Sequence, residues 1–134
     1  SLMDTIVSVD CHDLFERSLA LPTHVNGLLA LGGGKVLDAG KYLAHLAHLP
    51  LLSCPSSISN DGFASPFSSL VVEGKRRTLR TVLPHGVAID LDIVREAPEI
   101  LYFSGVGDLI SNLTAIDDWK LAFHRKGTYV DDFA

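Results

Sequence analysis

Apolar and polar positions in this chain come in blocks, and the blocks change period along its length. Thr5-Ile6-Val7-Ser8-Val9 is short and β-branched and predicts a strand, with Asp10 behind it placed to cap a helix over about 11–20. Pro22 and Asn26-Gly27 then break the chain. Leu28 to Leu31 is a continuous apolar strand, and Gly32-Gly33-Gly34 turns it into a second helix with Val36, Ala39, Leu43 and Leu46 at helical spacing. Pro50 to Ser53 gives a third strand. Continuous apolar strands separated by amphipathic helices predict a parallel sheet covered on both faces. Further on, Leu70 to Val72, the turn Glu73-Gly74-Lys75 and Arg77 to Leu83 predict an antiparallel hairpin, followed by a strand at Val87 to Asp90. From about Ile93 the pattern is helical, with Pro98 near a helix start and Gly105 and Gly107 as interruptions. In that helical part Asp117 and Asp118 read as surface, Trp119 as core, and Asp131-Asp132 as a capping region.

Composition narrows the class. A chain of 134 residues, 47% hydrophobic and 20% charged, is large enough for a core of its own. A net charge of -5 argues against a nucleic-acid surface, and Lys75-Arg76-Arg77 with Arg80 reads as a solvated hairpin. The two cysteines, Cys11 and Cys54, lack CxxC spacing, so neither a disulfide framework nor a thiolate metal site is indicated. No stretch has the length and apolar continuity of a membrane span, and a cytoplasmic location is expected.

Two polar loops carry the candidate chemistry. Three glycines after a strand, opening a helix, let a ligand approach the backbone and offer unpaired N–H groups and the positive end of the helix dipole to a diphosphate. The spacing is not the GxGxxG fingerprint, and a glycine-rich turn without a ligand is the plain alternative. The second loop, "PSSISNDGFASP", follows the next strand. In open parallel sheets ligands bind at the carboxyl ends of strands, where both loops are expected. Ser56, Ser57, Ser59 and Ser65 suit ribose and phosphate oxygens, and Asp61 suits a substrate hydroxyl. The same residues also suit local caps and turns.

"GGGKVLDAGKY", "PSSISNDGFASPFSSLVVEGKRRT", "LPHGVAIDLDIVREAP" and "SGVGDLISNLTAIDDWKLA", in that order, resemble the glycerol-1-phosphate dehydrogenases. These lie within the group of metal-dependent dehydrogenases that includes glycerol dehydrogenase, iron-containing alcohol dehydrogenases and dehydroquinate synthase. The resemblance covers nearly all of the chain from about Gly27. It implies an α/β fold: a partial Rossmann-like parallel sheet with a β-hairpin over residues 1–92, then the start of an all-helical domain over 93–134. It further implies that NAD or NADP lies against Gly32, Gly33, Gly34, Lys35, Val36, Leu37 and Asp38, and against Ser56, Ser57, Ile58, Ser59 and Ser65. Asp61 would touch a polyol phosphate substrate. Asp108 would be a carboxylate ligand of a catalytic zinc, also close to substrate. The family usually has threonines where Ser56 and Ser57 stand, so these positions keep the hydroxyls without the methyl groups.

One carboxylate does not hold a catalytic zinc, which takes three protein ligands; in the family two histidines come from the helical domain. The resemblance therefore implies an internal portion of such an enzyme, without its first βα units, with an incomplete metal site and no activity as a separate chain. His45 and His48, at i and i+3, read as surface residues, His85 as structural, and His124 as a remote ligand candidate. Two other readings stand beside this one. The first is a non-catalytic module for oligomerisation or for binding a phosphorylated metabolite, and the second is an enzyme with another substrate, glycerol dehydrogenase-like or a dehydroquinate synthase-like cyclase. An unpaired sheet edge and an apolar helical tail predict a homodimer or larger homo-oligomer.

Overall fold

The structure, a computed structural model, describes residues 4–129. Asp131-Asp132 lies outside the described residues. Helix α1 spans Cys11–Leu19 and is capped as expected, Asp10 accepting a hydrogen bond from the His12 N–H. Strand β1, Leu28–Gly32, leads into helix α2, Gly34–Ala47, and strand β2 follows at Leu51–Pro55. A single 3-10 turn occupies Asp61–Phe63, after which β3, Phe67–Val72, and β4, Lys75–Arg80, form the hairpin. Strand β5 is only Gly86–Val87, and helices α3, Leu91–Arg95, and α4, Glu99–Lys126, complete the described chain.

The parallel sheet has the order β1-β2-β5, with Leu28 opposite Leu51 and Leu52 opposite Gly86. The hairpin is a separate antiparallel pair whose two-residue turn puts Glu73 at φ 50° and Gly74 at φ 72°. Two positive φ values match the right-handed strand twist, and glycine at the second position carries one without strain.

α2 organises the core because it is buried on two sides. Ala39 and Leu43 pack with Val9, Leu14 and Leu70, joining α2 to α1 and the hairpin. Leu37 and Ala44 pack with Ala30 and Leu51, joining it to the sheet. Gly40 lies so close to β1 that an added Cβ would sit 2.6 Å from the Ala30 Cβ. The opposite sheet face stays open: Leu29 and its register partner Leu52 are 61% and 39% exposed. The expectation of helices on both faces is thus met on one.

Several local expectations are corrected. Thr5 to Val9 is not a strand; the hydrogen bond from Val71 N to Val9 O and the Asp10–Val71 bridge are its contact with β3, too few to make a ladder. The strand expected at Val87 to Asp90 is instead the two residues Gly86–Val87, because Asp90 caps α3, accepting from the Asp92 and Ile93 N–H groups. Gly105 and Gly107 do not interrupt α4, since glycine in a helix interior costs about 1 kcal/mol and does not break it. Trp119 is not core but 37% exposed, its indole N–H donating to the Tyr129 carbonyl.

Candidate functional site: a cleft at the strand ends

The glycine turn and the polar tract meet because their parent strands are neighbours. β1 and β2 end side by side, Gly32 opposite Pro55, and the pairing continues one step further as Ser56 N donates to Gly32 O at 2.9 Å. A Cβ at Gly33 would lie 3.9 Å from the Ser57 hydroxyl, so the two loops touch at one end of the sheet. Gly32, at φ 152°, takes a backbone conformation that side chains rarely adopt, which lets the strand turn into α2.

Between them lies a cavity of about 180 Å³. The first turns of α2 supply Gly34, Leu37 and Asp38; the tract supplies Ser57, Ser59, Asn60, Gly62 and Phe63. Phe67, Ser68, Ser69 and Thr78 of the hairpin close the third side. Of the residues read from sequence, Gly34, Leu37, Asp38, Ser57 and Ser59 line this space. Gly32, Gly33, Lys35, Val36, Ser56, Ile58 and Ser65 flank it in the chain without forming its lining.

Part of the tract serves local turns. Asn60 accepts from the Gly62 N–H at 2.8 Å and Ser65 Oγ from the Phe67 N–H at 3.1 Å, each two residues ahead. Ser57 and Ser59 have no such role among the bonds described. Asp61 and Asp108, separated by 47 positions, come together: the Asp108 carboxylate accepts from the Asp61 N–H at 3.0 Å. α4 approaches so closely there that a Cβ on Gly105 would fall 2.0 Å from the Ile58 carbonyl oxygen.

The family model for iron-containing alcohol dehydrogenases matches residues 5–98. The chain belongs to this family. It is 45% identical over 107 residues to the glycerol-1-phosphate dehydrogenase [NAD(P)+] of Hyperthermus butylicus, covering 80% of this chain and 31% of that protein. The enzyme of the same name from Sulfurisphaera tokodaii is 33% identical over 128 residues, covering 96% of this chain and 36% of its own. Among solved structures, glycerol dehydrogenase from Schizosaccharomyces pombe superposes with a TM-score of 0.70 at 30% identity, over 78% of this chain and 27% of that one. The chain therefore spans about a third of the length of the curated relatives it matches.

A Cβ added at Gly34 meets nothing within 4 Å, so the start of α2 faces open space. For zinc, no group of three or more His, Cys, Asp or Glu among the described residues is placed to hold a metal ion. His124 lies on α4 and forms no such group with Asp108; its ring instead meets Phe123 edge-on. His45, His48 and His85, read separately from sequence, line one shallow cleft together. No helix among the described residues is long and apolar enough to cross a membrane.

Sequence reasoning missed the hairpin's share of the cleft and missed Lys41. That lysine is 1% exposed and its ammonium meets Asp38 at 3.0 Å, the Gly62 carbonyl at 2.7 Å and the Phe67 carbonyl. The signal was present: Leu37, Lys41 and Ala44 recur at helical spacing on the buried face of α2.

Proposed function

We propose that this chain is the dinucleotide-binding portion of a glycerol-1-phosphate dehydrogenase-type oxidoreductase, taking NAD or NADP in the cleft between α2 and the polar tract. The observation that carries the reading is the meeting of Gly33 and Ser57 at one sheet end, which gives a single ligand access to both loops. In this reading the first N–H groups of α2 take the diphosphate, and the Ser57 and Ser59 hydroxyls take ribose oxygens. Asp61 accepts from a hydroxyl of the polyol phosphate. The dinucleotide, when bound, supplies the hydride acceptor or donor. Residues 1–92 form the nucleotide-binding part and 93–134 the beginning of the helical part.

The zinc expected from the resemblance does not fit this chain by itself, since Asp108 has no partner ligands among the described residues. The 134 residues alone are accordingly expected not to oxidise glycerol 1-phosphate. A glycerol dehydrogenase-type substrate is the alternative that the Schizosaccharomyces pombe likeness favours. A non-catalytic association module is the other, favoured by the open sheet face with Leu29 and Leu52 exposed.

NADH fluorescence titration tests the proposal. The chain should bind NADH or NADPH saturably, and Gly34→Val should weaken binding about tenfold or more by filling the diphosphate approach. Circular dichroism of that variant should be unchanged, because the added side chain points into open space. Absence of saturable binding, or equal binding by Gly34→Val, would overturn the assignment of this cleft.

A further inference from the structure

Lys41 is a buried cation on a helix that otherwise buries Leu37, Ala39, Gly40, Leu43 and Ala44. A lysine so placed needs its three N–H donors occupied, and each has a separate acceptor: one carboxylate of α2, Asp38, and the carbonyls of Gly62 and Phe67. The two carbonyls bracket the stretch 62–67, so one side chain fastens both ends of the second half of the polar tract. Nothing else in α2 reaches those carbonyls in the bonds described. Asp38 lines the cleft, whereas Lys41 does not.

We infer that Lys41 is a positioning residue: its ammonium holds the tract in its cleft-forming shape before any ligand arrives. The tract has little regular structure of its own, a 3-10 turn of 3 residues being its one element. Its local turns at Asn60 and Ser65 shape short pieces but do not attach them to the domain. Thr81 holds the Pro66 carbonyl from the hairpin side and Asp108 the Asp61 N–H from α4, while Lys41 ties the tract to α2 at the cavity that Gly62, Phe63 and Phe67 line. A tract that is preformed binds without first being ordered, so apparent affinity scales with the fraction of molecules already in that shape. The clamp itself is independent of what the cleft binds; only its consequence for affinity rests on the dinucleotide reading.

Hydrogen exchange of the unliganded 134-residue chain tests the clamp. In Lys41→Met, amides over 61–68 should exchange about tenfold faster or more, while those of β1 and of α2 keep their protection. Equal exchange over 61–68 in a folded Lys41→Met would overturn the inference. Should that variant fail to fold, the wild-type chain decides: its Lys41 Nζ resonance should exchange slowly and show scalar coupling to the Gly62 and Phe67 carbonyl carbons. A rapidly exchanging, uncoupled Nζ would overturn it equally. NADH titration then separates the two readings. Weaker binding by Lys41→Met, with an unchanged melting temperature and partial recovery in Lys41→Arg, supports positioning. No binding even by the wild type sinks the dinucleotide assignment and leaves the exchange result to stand or fall by itself.

Discussion

The carboxylate of Asp108, in the middle of α4, accepts a hydrogen bond from the backbone N–H of Asp61 at 3.0 Å. This bond closes one of the orphan donors at the start of the 3-10 turn and fixes α4 against the polar tract. It works together with Gly105, one turn earlier on the same helix, where only a hydrogen can stand beside the Ile58 carbonyl.

That pairing gives the first prediction. Gly105→Ala should detach α4 from the tract, because the added carbon would lie 2.0 Å from a backbone oxygen and neither partner is a flexible side-chain end. Asp108→Ala should loosen it less, since one exposed hydrogen bond to a charged acceptor contributes about 1.5–3 kcal/mol at most. Asp108→Asn keeps an acceptor and should stay close to wild type. Limited trypsin digestion at Lys120 and Arg125 reads the order: Gly105→Ala cut fastest, then Asp108→Ala. An equal rate in all three variants would mean that α4 is not held there.

A second prediction concerns the core. The Cβ of an alanine at position 40 would lie 2.6 Å from the Ala30 Cβ, inside any normal carbon contact. Gly40→Ala gains helix propensity yet forces α2 off the sheet, and overpacking of this kind costs about 1–3 kcal/mol. The urea midpoint should fall. Restoring the gap from the other side with Ala30→Gly in the same chain should recover part of the loss, and independent, additive effects of the two changes would show that they do not meet.

How much of this was legible beforehand divides by the range of the forces involved. The β1-turn-α2-β2 passage follows from apolar runs and glycines that act locally, and it stands where the pattern put it, within one or two residues at each boundary. The meeting of the glycine turn with the tract was legible too, since consecutive parallel strands end together. The strand expected at Thr5 to Val9 was not, because β-branched residues propose a strand but only a neighbouring ladder makes one. The spacing of Lys41 with Leu37 and Ala44 marks its burial, but its role has meaning only once its acceptors, 21 and 26 positions away, are known. Gly105 was misread as a break because its reason is the carbonyl of Ile58, far off in sequence.

The third prediction is a pH dependence. Burial raises the Cys11 thiol above its ordinary 9.0; the hydrogen bond with Tyr42 works against this and the Asp10 carboxylate adds to it. Burial likewise raises Tyr42 above 10.0, with Cys11 contributing. Groups whose folded pKa is raised keep their protons longer in the folded chain, so the unfolded chain releases protons first as pH climbs. Stability is therefore full below the unfolded values and falls as pH rises through them. The urea midpoint should drop between about pH 8 and about pH 11, and the drop should shrink in Tyr42→Phe. A midpoint that rises over this range would mean that neither group is raised.

The last prediction is self-association, argued from two apolar surfaces. On the sheet, Leu29 and Leu31 stand open at 61% and 57% exposure. On α4, Ile100, Leu109 and Leu113 are each about two-thirds exposed or more, and the helix buries no residue at all. Apolar surface on this scale is rarely left to water, and a two-fold pairing lets one patch bury itself against its own copy. The chain should run as a dimer or larger assembly by light scattering at micromolar concentration. Leu113→Glu should dissociate it if α4 forms the contact, and Leu31→Lys should do so if the sheet does, because a charge in an apolar contact has no partner there. The two variants separate the surfaces, since Leu113 lies on α4 and Leu31 on β1. A monodisperse wild-type monomer would show that both faces tolerate water at this concentration, and the association reading would then fall.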